Sequence, residues 1–474
     1  MIGLSSDDVI YLLFMVISVA AGPVFRSVLI DKTSRRWASA LIGFLLLAVV
    51  CGPHTVHLVI TVVGNCVLLK LCPPTKNERD LPGKSFIWNF GYLAVFRTVH
   101  WVGIPAPSPV TNAAQLFLTL RMIGIAFEIQ DSFMFRARAQ ESGDANKSQE
   151  ALLVRYCTVD VGPAELVSYA FCYIGILTGP YYKYRTFQDW LELPVNANLN
   201  VKQTLTERVI QLPVIAFCFW FFSRSFNIEY VETIAFLERP FLFRLFYMVP
   251  MFIIFRTRLY MAWIMSEIMS VTAGLGAYPA ISKPQCGQGP TDYSMLDTFY
   301  TSPKKVDQRY NFETVHNIDI YGCELAPLTK QGLRSWNMTV QYWLATYIHR
   351  RVPPALKANR VAITMTVSAF WHGIHPGYYL SFLTVPPILM AEETMIKAFR
   401  KEASPLGQQL FDWACWFFKM RGFDYMCMGF LLLRLGSTLR YWYSIYFLGH
   451  LVMLSFLAIG HLALALKPKK PKAQ

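Results

Sequence analysis

The sequence predicts an all-α fold, a polytopic transmembrane helical bundle, and three observations predict it. The composition is too apolar for a soluble protein of this length: 54% of the 474 residues are hydrophobic and 16% charged, and the mean hydropathy is +0.34. The apolar residues gather into runs separated by polar and basic loops. Those runs are too long and too unalternating for strands, so helices, which satisfy their backbone groups within the segment, must be the spanning element.

In chain order the runs cover Val9 to Val24, Trp37 to Cys51, Thr55 to Leu71, Phe86 to Val102, Ala113 to Ile129, Pro163 to Thr178, Val209 to Phe222, Phe241 to Phe255, Leu259 to Ala273, Val340 to Ile348, Val361 to Tyr379, Leu380 to Met390, Tyr425 to Leu435 and Tyr441 to Leu466. A crossing helix needs about 20 apolar residues, and several runs are shorter, so the full crossings are expected to be fewer than the runs. The first run follows Ser5, Ser6, Asp7 and Asp8 with neither a basic leader nor a small-residue cleavage site, and is expected to stay in place as a signal anchor. Between the runs, Arg136 to Asp160 contains ARAQESGDANKSQE and reads as a mobile surface connection. Ser282 to Gln331 carries enough aromatic residues to read as an extramembrane excursion with some helix. The chain is read as one continuous membrane domain, 1–474, with polar excursions at 136–160 and 282–331 and a basic tail at 467–474.

The formal charge of +14 and the pI near 9.3 could indicate nucleic acid, but the basic residues are scattered between apolar runs, as at Arg35 and Arg36, Arg256 and Arg258, or Arg350 and Arg351. Scattered basic loops fit a membrane surface, where they set topology and attract anionic headgroups. The 10 cysteines lie mainly in apolar segments with no CxxC pair, which points to no metal site and no disulfide framework.

Two polar positions stand out inside apolar surroundings. His372 lies in VAITMTVSAFWHGIHPGYY, and an ionisable side chain at membrane depth is a functional-site candidate by default. The competing reading is a buried histidine that ties two helices together. Asn337 lies in SWNMTVQYWLATYIHRR; if that stretch is helical, Asn337 and Gln341 share a face with Leu344, beside Trp336, Val340 and Trp343. Asn337-Met338-Thr339 also matches a glycosylation acceptor, though its apolar flanks favour Asn146-Lys147-Ser148 for that role. An asparagine and a histidine with no metal, serine triad or phosphate loop suit acyl transfer from a thioester to an alcohol. A neutral imidazole takes the hydroxyl proton, an amide stabilises the developing oxyanion or orients the hydroxyl, and the activated thioester needs no covalent enzyme intermediate.

Trp336-Asn337-Met338-Thr339 followed by His372 in SAFWHGIHPGYY resembles the asparagine and histidine signature of the membrane-bound O-acyltransferase family. TGPYYKYRTFQDW from Thr178 to Trp190, RLFYMVP from Arg244 to Pro250, GLGAYP from Gly274 to Pro279 and FDYMCMGFLLL from Phe423 to Leu433 resemble its lysophosphatidylinositol acyltransferase branch. The resemblance implies a bundle of about eleven helices around a substrate tunnel. It implies acyl-CoA as cosubstrate, with no resident cofactor, metal or nucleic acid, and a polyunsaturated chain, arachidonoyl by preference, passed to the sn-2 hydroxyl of lysophosphatidylinositol in the endoplasmic reticulum membrane. It makes His372 the general base and Asn337 its catalytic partner. A different acyltransferase family uses HxxxxD, which none of the 9 histidines begins.

Further substrate-binding candidates are Lys183 and Arg185, with Tyr182 beside them, for phosphate and polyol groups. Gln341, Trp336, Trp371, Ser368 and His375 flank the signature residues, and His375 is expected to share the face of His372. Lys470 and Lys472, near the end of the sequence, resemble a dilysine retrieval signal. Two alternatives stay open: the same chemistry on another lysophospholipid or a protein hydroxyl, and a proton-coupled transporter using His372 with a membrane carboxylate such as Glu128. The lack of an internal repeat weighs against the transporter.

Overall fold

The computed structural model describes residues 6–29, 31–141, 147–193, 199, 201–302 and 309–467. In chain order the main helices are α1 (Ser6–Ser27), α2 (Lys32–Cys51), α3 (Thr55–Leu71), α4 (Asp80–Thr98), α5 (Pro109–Glu141), α6 (Lys147–Cys157), α7 (Pro163–Ala170), α8 (Tyr184–Leu191), α9 (Val201–Val209), α10 (Leu212–Ser223), α11 (Met248–Ala273), α12 (Met338–Trp343), α13 (Arg360–His372), α14 (Pro376–Met395), α15 (Pro405–Leu432), α16 (Leu435–Ser444) and α17 (Leu448–Leu466). Paired strands among the described residues are β1 (Tyr278–Pro279) and β2 (Tyr310–Asn311), antiparallel with Tyr278 opposite Asn311. Six helical stretches among the described residues are long and apolar enough to cross a membrane. The sequence reads as one continuous domain, whereas the residue contacts group it into two compact units. The first holds Met1–Val214, Met261–Ile318 and Asn337–Arg351, the second Ile215–Tyr260, Asp319–Trp336 and Val352–Gln474.

The first unit is built on α5, which is buried on every side, with 83% of its most apolar window inside the protein and polar side chains such as Gln115 and Arg121 buried along with the apolar ones. Apolar side chains gain nothing from each other in lipid, so polar contacts and close approach hold such helices together. Asn65 of α3 donates to Asn89 of α4 at 3.0 Å, Ser85 of α4 donates to Asn65 at 3.1 Å, and Gln115 of α5 donates to Thr61 of α3 at 2.8 Å. Gly43 of α2 faces the carbonyl of Phe171 with no space for a Cβ.

The apolar run from Pro163 to Thr178 is not one helix. It stops at Ala170, because buried Arg121 of α5 takes up the carbonyls of Tyr169, Ala170 and Cys172 at 3.1 to 3.2 Å and also bonds the carbonyl of Ile174. Those oxygens would otherwise continue a helical ladder. The expected surface connection at Arg136 to Asp160 is largely helical in its described part: α5 extends to Glu141, and α6 is pinned where Arg155 and Tyr156 both bond Asp297, at 2.6 and 2.7 Å.

The second unit packs α14 against α13, α15 and α17. Gly377 of α14 has no space for a Cβ against the Gly429 carbonyl of α15, its N–H donates to the Leu433 carbonyl at 2.7 Å, and Ser381 donates to the Met426 carbonyl at 2.7 Å. The expected single crossing from Val361 to Tyr379 is two helices: α13 ends at His372, Gly373 is extended, and α14 starts at Pro376. Pro376 explains the break, since it disfavours helical backbone at His375 and is at home in the first turn of a new helix.

Candidate active site

Asn337 belongs to the first unit and stands immediately before α12 in left-handed backbone conformation, φ 47° and ψ 54°. Such a conformation is uncommon for a non-glycine residue and least costly for asparagine. Its carbonyl accepts the N–H groups of Val340 and Gln341 at 3.0 Å, so α12 hangs from it, but its side chain stands outside the helix and does not share the face of Gln341. It is 8% exposed, and its amide oxygen is buried with no hydrogen-bond partner among the described residues. A strained backbone and an orphaned polar atom each cost about 1–3 kcal/mol, which marks a position shaped for something other than stability.

The neighbouring segment holds this arrangement. Asn317 accepts the Met338 N–H on its carbonyl at 2.7 Å, and its side-chain oxygen accepts both the Thr339 N–H at 3.2 Å and the Thr339 hydroxyl at 2.6 Å. Asn317 is itself clamped, since buried Glu267 accepts the N–H groups of Asn317 and Ile318 at 2.7 and 3.0 Å and pairs with Arg208 at 2.6 Å. The Thr339 hydroxyl also accepts the Tyr181 N–H at 3.0 Å, which joins the PYYKYR segment to the start of α12. At the other end of the turn, Trp343 donates to the Leu120 carbonyl at 3.1 Å, and the chain continues as a π-helical turn, Leu344–Ile348, whose Tyr347 stacks on Phe127 at 4.7 Å. Asn317, Thr339 and Glu267 were not visible as site residues in the sequence, because their pairing is long-range. With Thr339 fully buried, Asn337-Met338-Thr339 is no accessible glycosylation acceptor. Asn146, Lys470 and Lys472 lie outside the described residues.

His372 belongs to the second unit and is the last residue of α13, half-buried among aromatic rings. Its imidazole stacks on Phe382 at 5.2 Å, meets Phe430 edge-on at 5.0 Å and Trp371 at 4.6 Å, and has Tyr378 at 6.0 Å. Ser368, one turn earlier on α13, is buried, as is Trp371. His375 does not share the face of His372: it is exposed and extended and stands immediately before α14. Trp336, the last residue of its stretch of the second unit, is surrounded by Phe252, Phe255 and Tyr260 at ring distances of 5.6 to 6.4 Å. The segment before it is tied down by Glu324, which pairs with Arg256 at 2.8 Å and accepts from Tyr260 at 3.0 Å, and by Lys419, which donates to the carbonyls of Cys323 and Ala326.

The remaining candidates separate clearly. Tyr182 is fully buried, donates to the Ile174 carbonyl at 2.8 Å and accepts from Arg121 at 2.9 Å, which makes it a post of the fold rather than a substrate contact. Arg185 is committed to Asp189 at 2.9 Å and to the carbonyls of Arg155 and Thr158. Gln341 is half-buried on α12. Lys183, half-buried at the start of α8, differs: burial works against its charge, but the phenols of Tyr342 and Tyr293 and the carboxylate of Glu128 outweigh it and hold the ammonium above the ordinary lysine range. Glu128 accepts the N–H groups of Tyr184 and Arg185 at 2.7 and 2.9 Å, so it caps α8. That accounts for the carboxylate that a proton relay would have needed.

Comparison with known proteins identifies the family. Residues 88–432 match the model of the membrane-bound O-acyltransferase family. A Xenopus laevis protein named membrane-bound acylglycerophosphatidylinositol O-acyltransferase is 40% identical over 99% of this chain and 96% of its own length. The human protein of that name is 41% identical over 96% of this chain and 94% of its own, and a Drosophila melanogaster one 31% identical over 96% and 92%. With a family match over most of its length and relatives alike nearly from end to end, this multi-pass membrane protein belongs to the membrane-bound O-acyltransferase family.

Proposed function

We infer that the protein transfers an acyl chain from acyl-CoA to the sn-2 hydroxyl of lysophosphatidylinositol, forming phosphatidylinositol in phospholipid remodelling. The observation that carries this reading is the near-full-length identity of about 40% to relatives whose names specify acylglycerophosphatidylinositol as the molecule acylated. We propose arachidonoyl as the preferred chain and the endoplasmic reticulum as the membrane, both as the family resemblance implies.

The proposed chemistry follows from the two signature residues. His372 in neutral form removes the sn-2 hydroxyl proton as the oxygen attacks the thioester carbon. The new C–O bond forms, the C–S bond breaks, and the proton passes to the departing CoA sulfur. The aromatic cage fixes the imidazole plane and limits water around it. Asn337 offers an amide whose oxygen has no partner among the described residues, fit to accept a hydrogen bond from the lysolipid hydroxyl, and whose N–H₂ is suited to the oxyanion. The thioester supplies the activation, so no resident cofactor enters. Lys183 is the cation we place against a substrate phosphate.

The test is acyl transfer from arachidonoyl-CoA to a panel of lysophospholipids in membranes expressing the chain, paired with His372→Ala. Labelling of lysophosphatidylinositol that the variant loses supports the reading. Labelling of lysophosphatidylcholine or lysophosphatidylserine instead overturns the acceptor and keeps the chemistry. Transfer that survives His372→Ala overturns the base.

A further inference from the structure

Glu313 and His316 are three residues apart but Cys286 precedes them by 27 and more, and the sequence points to no metal. The fold brings them together: the Cys286 sulfur, a Glu313 carboxylate oxygen and a His316 ring nitrogen all lie within 4.8 Å of one another, inside the first unit. Three ties hold the two loops in register. Strands β1 and β2 pair just outside them, the Gly287 N–H donates to the Thr314 carbonyl at 2.8 Å, and Glu267 holds the N–H groups of Asn317 and Ile318. The loop carrying Cys286 closes on itself between Gln285 and Gly289, with Gly287 and Gly289 both at positive φ.

The histidine is presented as a metal-binding histidine is. Its Nε2 lies 3.1 Å from the Ile318 carbonyl, and its Nδ1 points at Glu313 Oε2, 3.2 Å away. Without metal, Nδ1 donates its proton to Glu313; with Nε2–H held on a backbone carbonyl, loss of that proton leaves an Nδ1 lone pair presented as a ligand, the arrangement typically found behind metal-bound imidazole. Glu313 and His316 are already at about the separation of two ligands on one zinc ion; bonds of ~2.0–2.3 Å in a tetrahedron put ligand atoms roughly 3.3–3.8 Å apart, so the sulfur needs a shift of about 1 Å.

We propose that Cys286, Glu313 and His316 form a binding site for a zinc-class divalent cation. A mixed sulfur, nitrogen and oxygen donor set selects zinc over calcium or magnesium. In the bound state the charges close: a thiolate and a carboxylate neutralise the ion, the imidazole becomes neutral by giving up its Nδ1 proton, and the adjacent Arg208–Glu267 pair is neutral in sum. Binding releases two protons, one from the Cys286 sulfur and one from His316 Nδ1. Without an ion, burial, with the Glu313 and Glu267 carboxylates adding to it, pushes the thiol up to about 12, and a bound cation reverses that. The side chain of Glu313, 47% exposed, leaves a path for the ion and a water at the fourth position. The ion would clamp the Cys286 loop to the segment that continues directly into Asn317.

The test uses the full-length protein purified in detergent without a histidine tag. Metal-stripped protein is titrated with Co²⁺ and read by absorption, and zinc content after zinc exposure is measured by mass spectrometry. The expected result is about one ion per chain with a thiolate-to-cobalt charge-transfer band. Cys286→Ser loses the band, His316→Gln weakens binding at least tenfold, and zinc raises the thermal midpoint of the wild type but not of Cys286→Ser. Monodisperse elution and an unchanged metal-free midpoint show that a variant is folded; if Cys286→Ser fails that check, His316→Gln decides. No band, a band that persists without Cys286, or equal zinc in wild type and folded variants overturns the site.

Discussion

At Asn337 and Thr339, one turn of chain concentrates both strain and the bonds that hold it. Asn337 spends its backbone freedom on a left-handed conformation, and Thr339 supplies the hydroxyl through which Asn317 and Tyr181 fix the following helix. Replacing Thr339 by valine keeps the shape and removes that hydroxyl, which leaves the buried Tyr181 N–H and Asn317 oxygen short of a partner at a cost of about 1–3 kcal/mol. Thr339→Val should therefore lower the thermal midpoint and reduce kcat more than it raises the KM for acyl-CoA, while Thr339→Ser, which restores the hydroxyl, recovers both. Equal kcat in wild type and Thr339→Val would detach this network from Asn337. Direct removal should be harsher: His372→Ala and Asn337→Ala are each expected to cut kcat by roughly 10²–10⁴, with folding and acyl-CoA binding retained. A variant that binds acyl-CoA normally and turns over normally removes its residue from the chemistry.

Among the helices, what decides the packing is where backbones touch. Gly377 lies against the Gly429 carbonyl and the Leu433 backbone, neither of which can move aside, whereas Gly436 at the start of α16 faces open space. Gly377→Ala should cost about 1–3 kcal/mol through overpacking, and Gly436→Ala should be neutral or stabilising by up to about 1 kcal/mol through helix propensity. Thermal unfolding in detergent of the two variants side by side checks this, and a Gly377→Ala midpoint at or above that of Gly436→Ala would overturn it. The same contrast shows what was legible in the sequence. The all-α class and most helix positions follow from apolar periodicity, a property carried within a few residues, and Asn337 and His372 are singled out by polar type in apolar surroundings and by family resemblance. The stop of α7 at Ala170 depends on Arg121, far away in the chain, and the split at Gly373 overrode an apolar run that looked continuous because hydropathy does not register a proline's demand on the residue before it. Tyr182 and Arg185 looked like substrate contacts because their type suits the task; their partners, Arg121 for one and Asp189 for the other, are set by the fold. Asn317 carried no signal, since its role rests on meeting Met338 and Thr339 across a long loop.

For the molecule as a whole, the surface left apolar after packing tells how it meets its solvent. Only 11% of the apolar window of Leu448–Leu466 is buried, and Leu454 near its middle is 53% exposed, while Leu466 at its end is 75% exposed beside Lys467. In water such a surface would drive aggregation, and in a bilayer it is the matching face. The cost of a charge on it therefore depends on depth. A lysine at the centre of a crossing helix is penalised by about 2.5–3.5 kcal/mol, whereas one at the end reaches the headgroups along its own aliphatic stem. Leu454→Lys should lower the fraction of chain recovered in the membrane after alkaline extraction and lower its thermal midpoint, with Leu466→Lys close to wild type in both. Met453, 9% exposed on the packed side of the same helix, provides the internal comparison: Met453→Ala should leave extraction unchanged and lower only the midpoint, because it removes packing within the protein and not contact with lipid. Equal extraction of Leu454→Lys and Leu466→Lys would mean that Leu454 does not face hydrocarbon, and α17 would then have to be covered by protein rather than lipid.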